Sequence, residues 1–192
     1  MTLFGNRGRW QLNEAQTIEQ FIALRENFVS LALASYFAEV LDTVSEEGAP
    51  DPAVLQLGLN SLYALSRELC PAQQIKAVFE LRLMAITGYE PDLSGCAECG
   101  RQDAERMYFY APEGAVFCPD CVHEAPGAVT QLLPETLFAM RHIIYSAPKK
   151  IFSFTLEEPA LAQLAACAEQ YILLQLERGF SSLDYWKKVK DL

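Results

Sequence analysis

Four cysteines constrain this chain more than any other feature. Cys96-Ala97-Glu98-Cys99 and Cys118-Pro119-Asp120-Cys121 are two C-x-x-C pairs separated by residues 100–117. Each pair can close a tight knuckle around one side of a tetrahedral ion, so the spacing predicts one four-thiolate zinc site. Four thiolates fill the coordination shell and leave no open position for chemistry, which makes the predicted zinc structural. The ion would hold together residues 94–124, which are poor in apolar side chains. Disulfides and redox chemistry are the competing uses of these thiols. A thioredoxin-like dithiol needs its motif at a helix N-terminus after a strand, whereas the flanks here read as loops. Gly100 and Pro119 suit knuckle turns. His123, two residues past Cys121, could replace a thiolate, but four cysteines leave it no vacancy.

Charge narrows the choice of partners. The chain has 25 acidic and 15 basic residues and a formal net charge of −10. Taken alone, that balance opposes a protein whose main affinity comes from neutralising phosphates. Residues 92–124 are the most acidic stretch, with 7 acids against 2 bases. A nucleic-acid-reading finger should show the opposite sign. Half of the 192 residues are hydrophobic, enough for a globular core. The first residues show neither a basic n-region nor an apolar h-region, and no apolar run approaches the ~20 residues of a membrane span. Thiols spaced for metal then predict a reducing cytoplasm.

The pattern along the chain predicts a mainly α fold. Leu3-Phe4, Asn6-Arg7-Gly8 and Trp10-Gln11-Leu12 read as two short strands around a tight turn. Apolar residues at helical spacing predict one helix from about Leu24 to Val44, ended by Glu46-Glu47-Gly48-Ala49-Pro50. Asp51-Pro52 reads as an N-cap and first-turn proline opening a second helix through Leu65. A third covers Ala72–Thr87, with Gly88 as its left-handed cap. Met107–Tyr110 and Val116-Phe117 read as short strands inside the cysteine module. Pro134–Tyr145 and a long helix from Glu158 or Pro159 to Arg178, ended by Gly179, complete the set. The predicted organisation is a hairpin over 1–20, a helical bundle over 21–93 and 125–192, and an inserted zinc finger over 94–124.

Enzyme machinery is missing from the pattern. Neither phosphate-loop, dinucleotide, zincin nor serine-hydrolase motifs occur, and the pairs Glu46-Glu47 and Glu157-Glu158 fall at loops or helix starts. Cys70 and Cys167 read as small buried hydrophobes, and His142 as a hydrogen-bonded or exposed residue. The remaining chemistry is basic and grouped: Arg7 and Arg9 in the hairpin, Lys149 and Lys150 in a loop, and Lys187, Lys188 and Lys190 in a tail beside Tyr185-Trp186. Lysines interleaved with aromatics can track a single strand and stack its bases. Each cluster alone reads better as solvated surface, and only a fold that brings them together would change that.

In combination these segments resemble the RecO family of bacterial recombination mediators. The resemblance runs through Leu24–Phe28, Ala34–Glu39, Phe79-Glu80-Leu81-Arg82-Leu83, Gly88–Pro91 with Leu93, the four cysteines with Gly100 and Pro119, and Arg178–Leu183. It implies a non-enzymatic DNA repair and recombination protein of the bacterial cytoplasm and nucleoid. Such proteins bind single-stranded DNA-binding protein and RecR, help load RecA on coated single strands and anneal complementary strands. The family plan puts an OB-type barrel before the helical bundle, and residues 1–20 resemble only the last strands of that barrel. The chain is therefore expected to be a truncated or reduced family member with weakened single-stranded DNA binding. A helical bundle can still offer an apolar groove to an acidic protein tail, with Arg141, Lys149 and Lys150 as candidate basic contacts. The rival reading is a structural or regulatory zinc scaffold that has lost nucleic-acid binding.

Overall fold

Helix α4 (Ala72–Ile86) has no exposed residue and is buried at ten of its fifteen positions, and the other elements are arranged around it. The structure is a computed structural model that describes residues 2–6, 9–102, 106–123 and 128–190. Strands β1 (Thr2–Asn6) and β2 (Arg9–Glu14) pair antiparallel as the predicted hairpin. Helices α1 (Ile22–Glu26), α2 (Phe28–Val44) and α3 (Pro52–Ser66) precede α4. Strands β3 (Asp92–Cys96), β4 (Met107–Tyr110), β5 (Ala115–Phe117) and β6 (Val129–Leu132) form one sheet in the order β3-β5-β4-β6. Helices α5 (Pro134–Tyr145), α6 (Ala160–Gln175) and α7 (Ser181–Val189) close the chain. The described residues are thus mainly helical, with two small sheets.

Packing follows the apolar faces. Helix α4 lies against α3, α5 and α6, while α2 packs on α3 and α7. Phe37 and Phe79 stack with ring centroids 4.3 Å apart, and Tyr36 meets Phe180 edge to face at 5.6 Å. Aromatic pairs of this kind add to what area burial alone contributes.

The predicted caps are present where a side chain makes them. Asp51 accepts from Ala53 N–H at 2.8 Å and Pro52 opens α3. Gly88 adopts φ 93°, the left-handed conformation expected after α4. Three boundaries differ from the periodicity. The predicted Leu24–Val44 helix is two helices, because Asn27 leaves helical backbone and accepts from Ser30 N–H to cap α2. Helix α6 ends at Gln175 rather than Arg178, since Glu177 takes the left-handed turn (φ 51°) that Gly179 was expected to supply. The supposed lysine tail is helix α7, which buries Leu183, Trp186 and Val189.

Helix α4 also carries a buried ionic cluster with no apolar explanation. Lys76 Nζ lies 2.8 Å from Glu80 and 2.9 Å from Glu169 of α6, and Tyr36 Oη donates to Glu80 at 2.8 Å. Lys187 of α7 pairs with Glu169 from the outside. Glu80 is fully buried and Lys76 is 1% exposed. Burial pushes the Glu80 carboxyl above its ordinary range against the pull of Lys76. Burial pushes Glu169 up as well, but Lys76 and Lys187 outweigh it and hold that carboxyl low. Each charge has a partner, which is the condition for burying charge at all.

Candidate metal centre

The sheet supplies both halves of the cysteine cluster from its strand ends. Cys96 is the last residue of β3, and Cys118 follows directly on β5. These two strands run parallel with Cys96 opposite Val116, so the two C-x-x-C turns emerge side by side. Gly100 N–H donates to Cys96 O at 2.8 Å and Cys121 N–H to Cys118 O at 3.1 Å, closing the two knuckles. Gly100 has φ 72°, a conformation that a side chain disfavours. Arg101 and Asp120 tie the knuckles together by an exposed ion pair at 2.7 Å.

The result is a compact sulfur site. All four Sγ atoms of Cys96, Cys99, Cys118 and Cys121 lie within 4.8 Å of one another. Cys99 and Cys118 sulfurs are 3.7 Å apart, far beyond a disulfide bond and close to the edge of a tetrahedron of thiolates. Cys96 and Cys118 are buried, Cys121 is half-buried and Cys99 is exposed. Burial pushes the Cys96 thiol up, yet N–H groups of Cys118, Cys99 and Glu98 outweigh it and bring it down to about 6. The Cys118 thiol raises Cys121 to about 12. A sulfur cage held by N–H donors, with all four thiols free, fits a soft divalent ion. Exposed His123 stands outside the cluster.

The module is bonded firmly to the helices on two sides. From α6, Tyr171 Oη donates to Tyr89 O at 2.9 Å, Gln175 Nε2 to Pro112 O at 3.2 Å, and Gln163 Nε2 to Gln131 O at 2.9 Å. From α5, Arg141 Nε donates to Leu93 O at 2.7 Å, and Leu93 N–H donates to Tyr145 Oη at 3.3 Å. Within the bundle itself, Arg82 of α4 donates to the Ile143 and Ile144 carbonyls and satisfies the last turn of α5. The segment Phe79–Leu83 thus supplies a core ring, a buried carboxylate and a helix-end clamp.

Beside this junction α5 exposes an apolar face that the sequence reading did not single out. Phe138, Tyr145, Phe154 and Leu156 line a groove of about 620 Å³ with Arg141, His142 and Glu135. Phe138 is 69% exposed, much for so large an apolar side chain. Phe138, Arg141 and Tyr145 fall at i, i+3 and i+7 and so share one face of α5, but the spacing does not show that this face stays uncovered. His142 Nε2–H donates to Lys150 O at 2.8 Å, and its Nδ1 accepts from Ser146 Oγ at 3.2 Å. That bond draws the 147–153 loop, with exposed Lys149 and Lys150, toward α5 beside the groove.

The other predicted basic residues are dispersed. Lys187 is committed to Glu169, Lys190 lies 5.4 Å from the Trp186 ring, and Lys188 is exposed on α7. Arg7 lies outside the described residues, and of Arg9 only the backbone in β2 is described. Cys167 is buried as expected, whereas Cys70 is half-buried; burial pushes both thiols up to about 11. Among the described residues no helix is long and apolar enough to cross a membrane.

Comparison with known proteins agrees with this layout. The family model described as Recombination protein O C terminal matches residues 25–184, from α1 to α7. The chain is 31% identical over 185 residues to the DNA repair protein RecO of Acetivibrio thermocellus, covering 96% of this chain and 73% of that protein. It is 27% identical over 188 residues to the protein of that name from Alkaliphilus metalliredigens, covering 97% and 76%. The Symbiobacterium thermophilum protein of the same name is 27% identical over 186 residues, covering 95% and 73%. The match therefore spans the helices, the cysteine module between them and the closing helix together, and the chain belongs to the RecO family of DNA repair proteins.

Proposed function

We propose that the protein is a non-enzymatic mediator of recombinational DNA repair in the bacterial cytoplasm. It binds the acidic tail of single-stranded DNA-binding protein and RecR, aids RecA loading and promotes strand annealing. One zinc ion on Cys96, Cys99, Cys118 and Cys121 holds the module in shape and takes no part in chemistry.

The observation that carries this reading is the α5 groove. Arg141 lies in its largely apolar lining, and the bond from His142 to the Lys150 carbonyl brings the Lys149–Lys150 loop toward the same helix, in a protein of net charge −10. Such a site suits a short peptide with a hydrophobic end and several carboxylates. Direct single-strand contact is the weaker part of the function. Lys187 is already neutralised by Glu169, and no basic groove to track a backbone unites the described cations. That same observation favours the second reading, a zinc scaffold without nucleic-acid binding.

Fluorescence anisotropy separates the two. A labelled peptide copying the acidic tail of a single-stranded DNA-binding protein is expected to bind, more weakly as salt rises. Phe138→Asp should abolish binding, and Lys149→Ala with Lys150→Ala should weaken it about three- to tenfold, the loss expected for two rim charges of up to ~1 kcal/mol each. A peptide that ignores all three positions removes the mediator reading. A labelled single-stranded oligonucleotide at two salt concentrations then shows whether any strand affinity survives.

A further inference from the structure

Strand β3 is shared by the sulfur site and the groove. It ends in Cys96, and as the edge strand of its sheet it has one strand partner, β5. The β3–β5 register is irregular between Asp92 and Cys96, which leaves Leu93 to Gly95 poorly held from that side. Their other support is α5. Arg141 Nε donates to Leu93 O at 2.7 Å, Arg141 Nη2 to Ser94 O at 3.3 Å, and Tyr145 Oη accepts from Leu93 N–H at 3.3 Å. Arg141 and Tyr145 also line the groove. A cysteine ligand and two groove residues are therefore joined by three hydrogen bonds within four residues of backbone.

We propose that metal occupancy of the cysteine site sets the shape of the α5 groove through β3, so that metal and an acidic peptide bind cooperatively. This rests on the peptide-docking reading of the groove. With the ion bound, Cys96 is fixed and the Leu93 and Ser94 carbonyls face α5. They hold the arginine fork in one rotamer, with its charge at the groove edge. Without the ion, the 96–101 knuckle keeps the Gly100 N–H and Cys96 N–H bonds within it (2.8 and 2.9 Å), the Ala97 N–H bond to Val116 O (2.9 Å) and the exposed Arg101–Asp120 pair, but loses the anchor at the Cys96 sulfur. Ser94 is two residues from the lost anchor, and its carbonyl no longer has a fixed position. Arg141 then loses its acceptors and Tyr145 its donor, and the groove loses its pre-organised wall. Linkage makes the effect mutual: whatever tightens Arg141 on β3 also tightens binding of the ion. Arg141 and Tyr145 are positioning residues in this scheme, not ligands.

The test measures metal release from the zinc-loaded full chain to a chromogenic chelator. Arg141→Ala is expected to speed release roughly five- to tenfold, the lower range of allosteric couplings. Arg141→Lys, which keeps charge but loses the two-pronged contact, should do nearly the same. Phe138→Ala, in the same groove but without a bond to β3, should release metal at the wild-type rate. Saturating acidic-tail peptide should tighten zinc binding, read by equilibrium competition with the same chelator, by the factor by which metal removal weakens the peptide. If Arg141→Ala does not fold by far-ultraviolet circular dichroism, Tyr145→Phe decides the matter in its place. Wild-type release rates in the Arg141 variants, or in Tyr145→Phe where it stands in, overturn the coupling. Failure of the peptide to bind zinc-loaded protein overturns the docking reading instead, and the chelator measurement still decides whether β3 joins the two sites.

Discussion

Lys76 and Glu80 show why single residues in this core are not interchangeable with their apolar neighbours. Both sit on the most buried helix, one turn apart, with Glu169, Tyr36 and Lys187 completing the set. Removing one partner strands the other in a site that water cannot reach. Lys76→Met is therefore expected to cost about 3 kcal/mol, while adding Glu80→Met should recover much of that loss. Urea unfolding of the two variants checks it; a double variant less stable than the single would contradict the account. The periodicity made α4 legible as a core helix through Ile75, Val78, Phe79 and Leu83. It could not show that two charges point inward with them, because the partners lie on α2, α6 and α7, distant in sequence. An i, i+4 Lys–Glu pair reads as surface decoration unless the helix is known to be enclosed.

At the scale of elements, α7 is the instructive case. Lys187, Lys188 and Lys190 made its sequence look solvated, although Leu183, Trp186 and Val189 already marked one apolar face at i, i+3 and i+6. Its N-terminus has no cap from its own first residue. Glu39 of α2 performs that task, accepting from Ser182 N–H at 3.1 Å and from Ser182 Oγ. The Ser182 hydroxyl is the main cause that holds the Glu39 carboxyl below its ordinary value of 4.5. Glu39→Ala should thus destabilise the protein by about 1 kcal/mol, the usual worth of a helix cap. A depressed acid contributes fully above its unfolded pKa and is lost as pH falls through its folded value. The stability gap between wild type and Glu39→Ala is expected to hold at pH 7 and to shrink below about pH 4.5. Denaturant melts at pH 7 and pH 3 measure it, and a gap that grows on acidification would contradict the cap. Strands β3 and β6 escaped the sequence reading for a related reason. Asp92-Leu93-Ser94-Gly95-Cys96 alternates exposed and buried over its first four positions, but Leu93 is its one large apolar side chain, too little to declare a strand before β5 is seen beside it.

For the whole molecule, the cysteine spacing was the most legible feature, because four ligands at fixed intervals carry their geometry with them. The groove was not, since an apolar face declares itself exposed only after every other face has found its neighbour. Bonded through its sheet to α5 and α6, the cysteine module is a clamp on the bundle rather than an appendage. On the proposed reading its role depends on one ion. Metal analysis of protein purified without chelator, joined to X-ray absorption at the zinc edge, tests this most directly. The account predicts one zinc per chain with four sulfur neighbours at about 2.3 Å. Protein that is fully folded with no bound metal, or with Cys96, Cys99, Cys118 and Cys121 joined as disulfides, would contradict it.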